Sequence, residues 1–315
     1  MIVRHGTGLK RAIELFILRN WALILTVIVT EQAIVLLSQY TRVLETDVFS
    51  ATAIGLIATV VGIFIVFRFN ESYQRWWEAR ILWGALVNQS RSFAREVGTL
   101  LTPERVPKLG SGPEANEFQT ELVHRHLAFC NALRISLRGQ DSWAELAPFL
   151  AADELAELQG FANKPTRLIR SQGDRLAELI GTEVSQQLLL MRFDATLSSL
   201  YDVQGGCERI KNTAFPDEVR LISRSLVWLS AVAVPIAFLS ADRHIRAIEL
   251  LAVVVICLSF MVVEQLGASL NNPFENEIND TPMTALCRTI EIDLRQQLGD
   301  KEVPPPIEPI DGVLM

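Results

Sequence analysis

Thr59, Ile63, Phe67 and Glu71 stand four residues apart in a stretch without proline, so a helix through them carries all four on one face. A hydroxyl, two apolar groups and a carboxylate form no bond-making centre. They suit the lining of a narrow path: apolar rings close by dewetting, an aromatic rim offers its positive edge to an anion, and a ring of carboxylates draws cations. Gly55, Ala58 and Gly62 in the same stretch are small enough for neighbouring helices to come close. Glu71 also has a plainer reading, an i, i+4 pair with Arg75. Next, Arg75, Trp76 and Trp77 combine a cation with two indoles, residue types that anchor a helix end at a membrane surface, with Glu71 or Glu78 within reach of Arg75. Glu31, inside an apolar run, is either a functional group held in a membrane or a hydrated group near a helix end.

Signals of catalysis are absent. There is no Walker loop, no G-x-S-x-G and no H-E-x-x-H. Of the four histidines (His5, His124, His126, His244), only His124 and His126 are near each other, and residues two apart do not face each other on a helix, so no joint metal site is expected. Cys130, Cys207, Cys257 and Cys287 lie far apart without a C-x-x-C pair, which points to buried, reduced thiols. No cofactor is implied.

Four apolar spans must position these residues. They are 21–37 (WALILTVIVTEQAIVLL), 49–67 (FSATAIGLIATVVGIFIVF), 225–240 (SLVWLSAVAVPIAFLS) and 247–263. The second has 19 residues and no charge, roughly 28 Å of helix at 1.5 Å per residue and so about one hydrocarbon core. Pro235 in the third is tolerated in a membrane helix whose neighbours satisfy the freed backbone. Six residues, 241–246, join the third span to the fourth as a tight helical hairpin. Arg4, Lys10, Arg11 and Arg19 precede the first span, Arg68, Arg75 and Arg80 follow the second, and Arg220 and Arg224 precede the third, so these sides and both termini are expected in the cytoplasm. Arg42, Glu45 and Asp47 then fall in the outer loop. The hairpin loop, with Asp242, Arg243, His244 and Arg246, departs from that charge rule. No signal peptide is expected, because the first apolar run starts late and lacks a cleavage site.

The 315-residue chain is 50% hydrophobic and 21% charged. Its mean hydropathy is +0.26. Disorder, a collagen-like fibre and a disulfide-stapled miniprotein are excluded, and a net charge of −7 argues against nucleic acid as a partner. The stretch of about 150 residues between the second and third spans is too polar to cross a membrane and too long for a loop. Residues 129–137, 144–161 and 183–203 repeat apolar positions at three and four, which predicts a helical cytoplasmic domain without strands. Residues 102–113 and 163–165 are breaks, and prolines 304, 305, 306 and 309 make the tail an extended arm.

Three motifs in order resemble the bestrophin family of pentameric ion channels, and its short bacterial members in particular. The first is Phe67, Arg68, Tyr73, Arg75, Trp76, Trp77, Glu78, Ala79, Arg80, Trp83 and Gly84; the second is residues 202–210 (DVQGGCERI) with Thr213 and Pro216. The third is Asn272, Pro273 and Phe274 with Asn279, Asp280 and Pro282, continuing as LCRTIEIDLRQQLG. The resemblance implies an all-α membrane protein with four transmembrane helices and a helical cytoplasmic domain, assembled as a homopentamer around a central pore. By counting back from Arg75, the family's hydrophobic neck falls on Thr59, Ile63 and Phe67, with a hydroxyl at Thr59 where an aliphatic is familiar. A cytosolic constriction falls near Leu188. Glu275, Glu277 and Asp280 are a thinner set than the calcium clasp of animal bestrophins and read first as a solvated acidic loop, so no metal is assigned.

The expected organisation is an N-terminal segment with the first two spans and the start of the cytoplasmic helices in residues 1–84, and a cytoplasmic helical domain in 85–220. A transmembrane hairpin follows in 221–266, and a cytoplasmic helix with a proline-rich tail in 267–315. The expected partners are further copies of the chain, membrane lipid and permeating ions, chloride foremost, in a bacterial inner membrane. Cation conduction, or a membrane-anchored scaffold or sensor without conduction, are the alternatives.

Overall fold

Nothing between residues 51 and 100 stops a helix once begun, since the stretch contains no proline, and a single helix α2 runs Ala51–Leu100. The computed structural model describes residues 9–40, 51–110, 112–213, 216–237, 247–310 and 313–314. Its other α-helices are α1 (Leu9–Tyr40), α3 (Pro113–Leu137), α4 (Ala152–Leu158), α5 (Lys164–Leu179), α6 (Val184–Asn212), α7 (Asp217–Ala237), α8 (Ala247–Leu270) and α9 (Met283–Leu298). Among the described residues there is no strand beyond one isolated bridge between Ile310 and Val313. The outer-loop residues Arg42, Glu45 and Asp47, the hairpin residues 241–246, and Arg4 and His5 lie outside the described residues.

The helices sort into two units. One is apolar and contains the described residues up to 75 and 216–271; the other is more polar and contains 76–213 and 272 onward. Helix α2 contributes its first half to the apolar unit and its second half to the polar one. In the apolar unit, α1 packs on α7 and α8, and α7 packs on α8. Its core joins Leu23 and Val27 of α1 and Val61 and Ile65 of α2 to Val227, Ala231 and Val234 of α7 and Val253, Cys257 and Met261 of α8. Two helices among the described residues are long and apolar enough to cross a membrane, Gly55–Leu100 and Leu251–Leu270, and Asn20–Ile34 is a shorter apolar stretch. Pro235 sits in the last turn of α7.

In the polar unit, α3 packs against α5, α9 and α6. Trp83, Phe93, Phe129, Phe193 and Phe274 are fully buried there, each worth on the order of 1.5–3 kcal/mol of apolar burial. Local sequence sets the helix ends. The Asn163 side chain accepts the Thr166 N–H at 3.0 Å to cap α5, with Pro165 in its first turn. Gly299, in the left-handed region at φ 88°, closes α9. Residues 144–161, whose spacing has the helical period, are split by a break. Pro148 has no N–H to donate, so the chain makes a 3₁₀ turn at Trp143–Leu146 and restarts as α4 after an extended Ala151.

Candidate functional site

Thr59, Ile63, Phe67 and Glu71 do share one face of α2, and that face is turned away from the packing of their own unit. Ile63 is 53% and Phe67 67% exposed, whereas Val61 and Ile65, on the opposite side, are 2% exposed. The buried stripe continues through Arg68 and Ser72. The exposed apolar face of Ile63 and Phe67, like Leu56, Val60 and Val66 of the same helix, lacks a partner within one chain. The Thr59 hydroxyl donates to the Gly55 carbonyl at 2.8 Å, so its proton is used within the helix. Gly62 faces Phe260 of α8, whose ring lies 3.5 Å from where a Cβ would stand, an ordinary contact distance.

Arg68, directly after Phe67, points the other way. Its Nη1 donates to Glu264 Oε1 of α8 at 2.8 Å and to Ser223 Oγ of α7 at 2.6 Å, with the two charged side chains 4% and 8% exposed. The Arg68 to Glu264 pair fixes the rotation of α2 against α7 and α8, because either charge alone in this site would cost about 3–5 kcal/mol. Sequence reasoning missed it, placing Arg68 only as a residue that follows the second span. Opposite charges closing two apolar runs, Arg68 after Phe67 and Glu264 after Val263, were the available signal.

Glu71 is exposed and makes no hydrogen bond or ion pair among the described residues, so the i, i+4 pair with Arg75 is not formed. Arg75 instead donates from Nε to the Asn271 carbonyl at the end of α8, at 3.2 Å. In the polar unit, Trp76 Nε1 donates to the Asn279 carbonyl at 2.7 Å, and the Arg80 guanidinium lies 5.1 Å from the Trp76 ring centre. Trp77 is 49% exposed. Glu78 pairs with Arg209 of α6, which ties the R-W-W-E stretch to the second motif. In that motif Gly206 lets α6 approach the Leu82 methyls, which would stand 2.8 Å from an added Cβ.

Leu188 lies in the polar unit, 63% exposed near the start of α6, with Val184 and Met191 equally bare on the same face. One turn on, Arg192 reaches the fully buried Glu96 at 2.5 Å, and Thr196 Oγ1 donates to the same carboxylate at 2.7 Å. The three acidic residues of the loop after α8 are not gathered around a common point. Glu275 pairs with Lys211 at 2.7 Å, Asp280 accepts the Glu277 N–H at 3.0 Å, and Glu277 is exposed. Burial pushes the Asp280 carboxyl above its ordinary value.

His126 is buried beneath the stacked ring of Phe93, 4.9 Å away, with Nε2 2.9 Å from Ser90 Oγ and 3.6 Å from Cys130 Sγ. A Ser–His–Cys contact suggests nucleophile activation, but the environment opposes it. Burial lowers the His126 pKa to about 4 and pushes the Cys130 thiol well up, so the imidazole stays neutral and the sulfur stays a thiol. Burial also raises Cys287 to about 12. These are core groups.

Residues 5–296 match the family model described as bacterial/fungal bestrophin protein. The chain belongs to the bestrophin family. A voltage-dependent anion channel-forming protein of Mesorhizobium japonicum is 32% identical over 268 residues, which cover 85% of this chain and 81% of that relative. One of the same description from Salmonella typhi is 31% identical over 304 residues, 96% of this chain and 92% of the relative. Among solved structures, a bacterial bestrophin homologue from Klebsiella pneumoniae is 25% identical with a TM-score of 0.75, covering 90% of this chain and 99% of that one. A point variant of the Klebsiella homologue superposes with a TM-score of 0.76 at 24% identity, covering 90% and 100%. This bestrophin is thus a helical membrane protein of that fold.

Proposed function

We propose that this bestrophin is an anion channel, a homopentamer of the bacterial cell membrane whose central pore is lined by five copies of α2. The observation that carries this reading is the unpartnered face of α2: Thr59, Ile63 and Phe67 project from a helix whose opposite side is buried in its own chain. Five such faces meeting on an axis give one another the cover that a single chain lacks, and they form a hydrophobic neck. The anion-channel description of the Mesorhizobium and Salmonella relatives supports the same reading. In this assembly four helices cross the lipid, both termini and residues 85–220 are cytoplasmic, and Leu188 forms a second constriction. Chloride passes the edges of the Phe67 rings.

A second reading, cation conduction through the same architecture, is favoured by one observation: Glu71 is exposed and has no ion pair among the described residues at the end of the same face, so five carboxylates would border the neck. The first test is assembly. The mass of the detergent-solubilised complex should equal five chains, and a monomer or dimer that still folds would contradict a shared pore.

A further inference from the structure

We propose that the recess between α1, α7 and α8 of the apolar unit binds the phosphate headgroup of an anionic phospholipid. Arg220, Arg224 and Trp228 are spaced by four on α7 and share one face, and that face lines a recess of about 1010 Å³ with Leu23 of α1 and Met261 of α8. Gln265 of α8 donates to Asn20 of α1 at 2.6 Å and joins the two remaining walls at the polar end. The charge of the lining favours an anion. Glu264 is already neutralised by Arg68 at 2.8 Å, Glu218 shares the lining with Arg220, and Arg224 adds a guanidinium group with no ion pair among the described residues.

Arg224 is exposed and makes no hydrogen bond or ion pair among the described residues, so its fork of N–H donors is available for two oxygens of one phosphate. One turn deeper stands Trp228, half-buried, an indole of the kind that settles at the headgroup level of a bilayer. Beside the arginines the walls are apolar: Leu23, Met261 and Leu221, the last 67% exposed. A small soluble anion uses the guanidinium groups but leaves these walls wet, whereas a phospholipid fills both parts with headgroup and acyl carbons. Basic recesses between membrane helices on the cytoplasmic side take anionic headgroups for this reason. The proposal requires α1, α7 and α8 to lie in a bilayer and is independent of whether the protein conducts.

The test is native mass spectrometry of the purified full-length protein titrated with phosphatidylglycerol or with phosphatidylcholine of the same acyl chains. The native protein should retain phosphatidylglycerol about fivefold better, as expected for one basic contact to an anionic lipid, and the preference should shrink with added salt. Arg224→Gln should abolish the preference and leave the melting temperature in phosphatidylcholine unchanged, and Arg224→Lys should restore part of it. An undiminished preference in Arg224→Gln, or a salt-independent preference in the native protein, would overturn the proposal. Inorganic phosphate alone protecting the protein as well as phosphatidylglycerol does would also overturn it, by making the recess a small-anion site.

Discussion

At the scale of single residues, burial decides what a group can do more than its chemical type does. His126, Ser90 and Cys130 have the side chains of a nucleophilic centre, yet the core around them keeps all three neutral. The consequence is a pH dependence of stability. In the folded protein His126 titrates at about 4 rather than 6.5, because burial penalises the imidazolium more than the neighbouring Gln172 side chain favours it. The unfolded chain therefore binds the proton first, and stability is lost as pH falls from about 6.5 to about 4. The shift corresponds to roughly 3 kcal/mol. Thermal melting followed across that range should show the loss in the native protein and a much smaller one in His126→Gln. Equal slopes would place the titrating group elsewhere.

The residue scale is also where the sequence was least legible. The spacing of Thr59, Ile63, Phe67 and Glu71 was readable because a four-residue period is a property of one helix. The Arg68 to Glu264 pair joins positions 196 apart in the chain, and no local pattern encodes which span faces which. Likewise Arg75 had acidic neighbours one turn away, but its Nε is satisfied by a carbonyl at the end of α8, a partner that appears only when the helices are packed.

Among the elements, α2 carries most of the account. Hydropathy marks its apolar part and stops at Phe67, where charges begin, but the helix continues to Leu100 because neither proline nor a glycine cap ends it. Composition located the span and could not locate the helix end. Residues 144–161 failed in the opposite sense, since their apolar period outlasts the backbone hydrogen bonds that Pro148 interrupts. The two faces of α2 predict different responses to the same change. Ile63→Ala and Phe67→Ala trim side chains that are exposed within their own chain, so they should raise single-channel conductance severalfold and leave the assembly intact. Ile65→Ala, two residues from Ile63, removes core volume and should cost on the order of 2–5 kcal/mol of stability. Single-channel recording combined with melting curves separates them. If the exposed pair destabilises the protein as much as Ile65→Ala does, the pore face has been assigned to the wrong side of the helix.

For the whole molecule, the charge ledger and the family point in different directions. The chain carries −7 overall and Glu71, beside the proposed neck, has no ion pair among the described residues, while its curated relatives are described as anion channel-forming proteins. A hydrophobic neck resolves the difference if selection occurs at the Phe67 rims, where permeation is set by partial dehydration and the aromatic edge, and the carboxylates beyond act only on local ion concentration. The helical fold class was readable from one sequence because it rests on local periodicity and composition, and the family was readable from three motifs in order. Selectivity was not, since in the proposed assembly it depends on which side chains meet on an axis between chains. The most direct measurement is the reversal potential of purified protein in a planar bilayer under a KCl gradient. Zero current should fall near the chloride equilibrium potential and stay there in Glu71→Gln. A reversal near the potassium potential that moves toward chloride in Glu71→Gln would contradict anion conduction and make the carboxylate ring the selectivity filter.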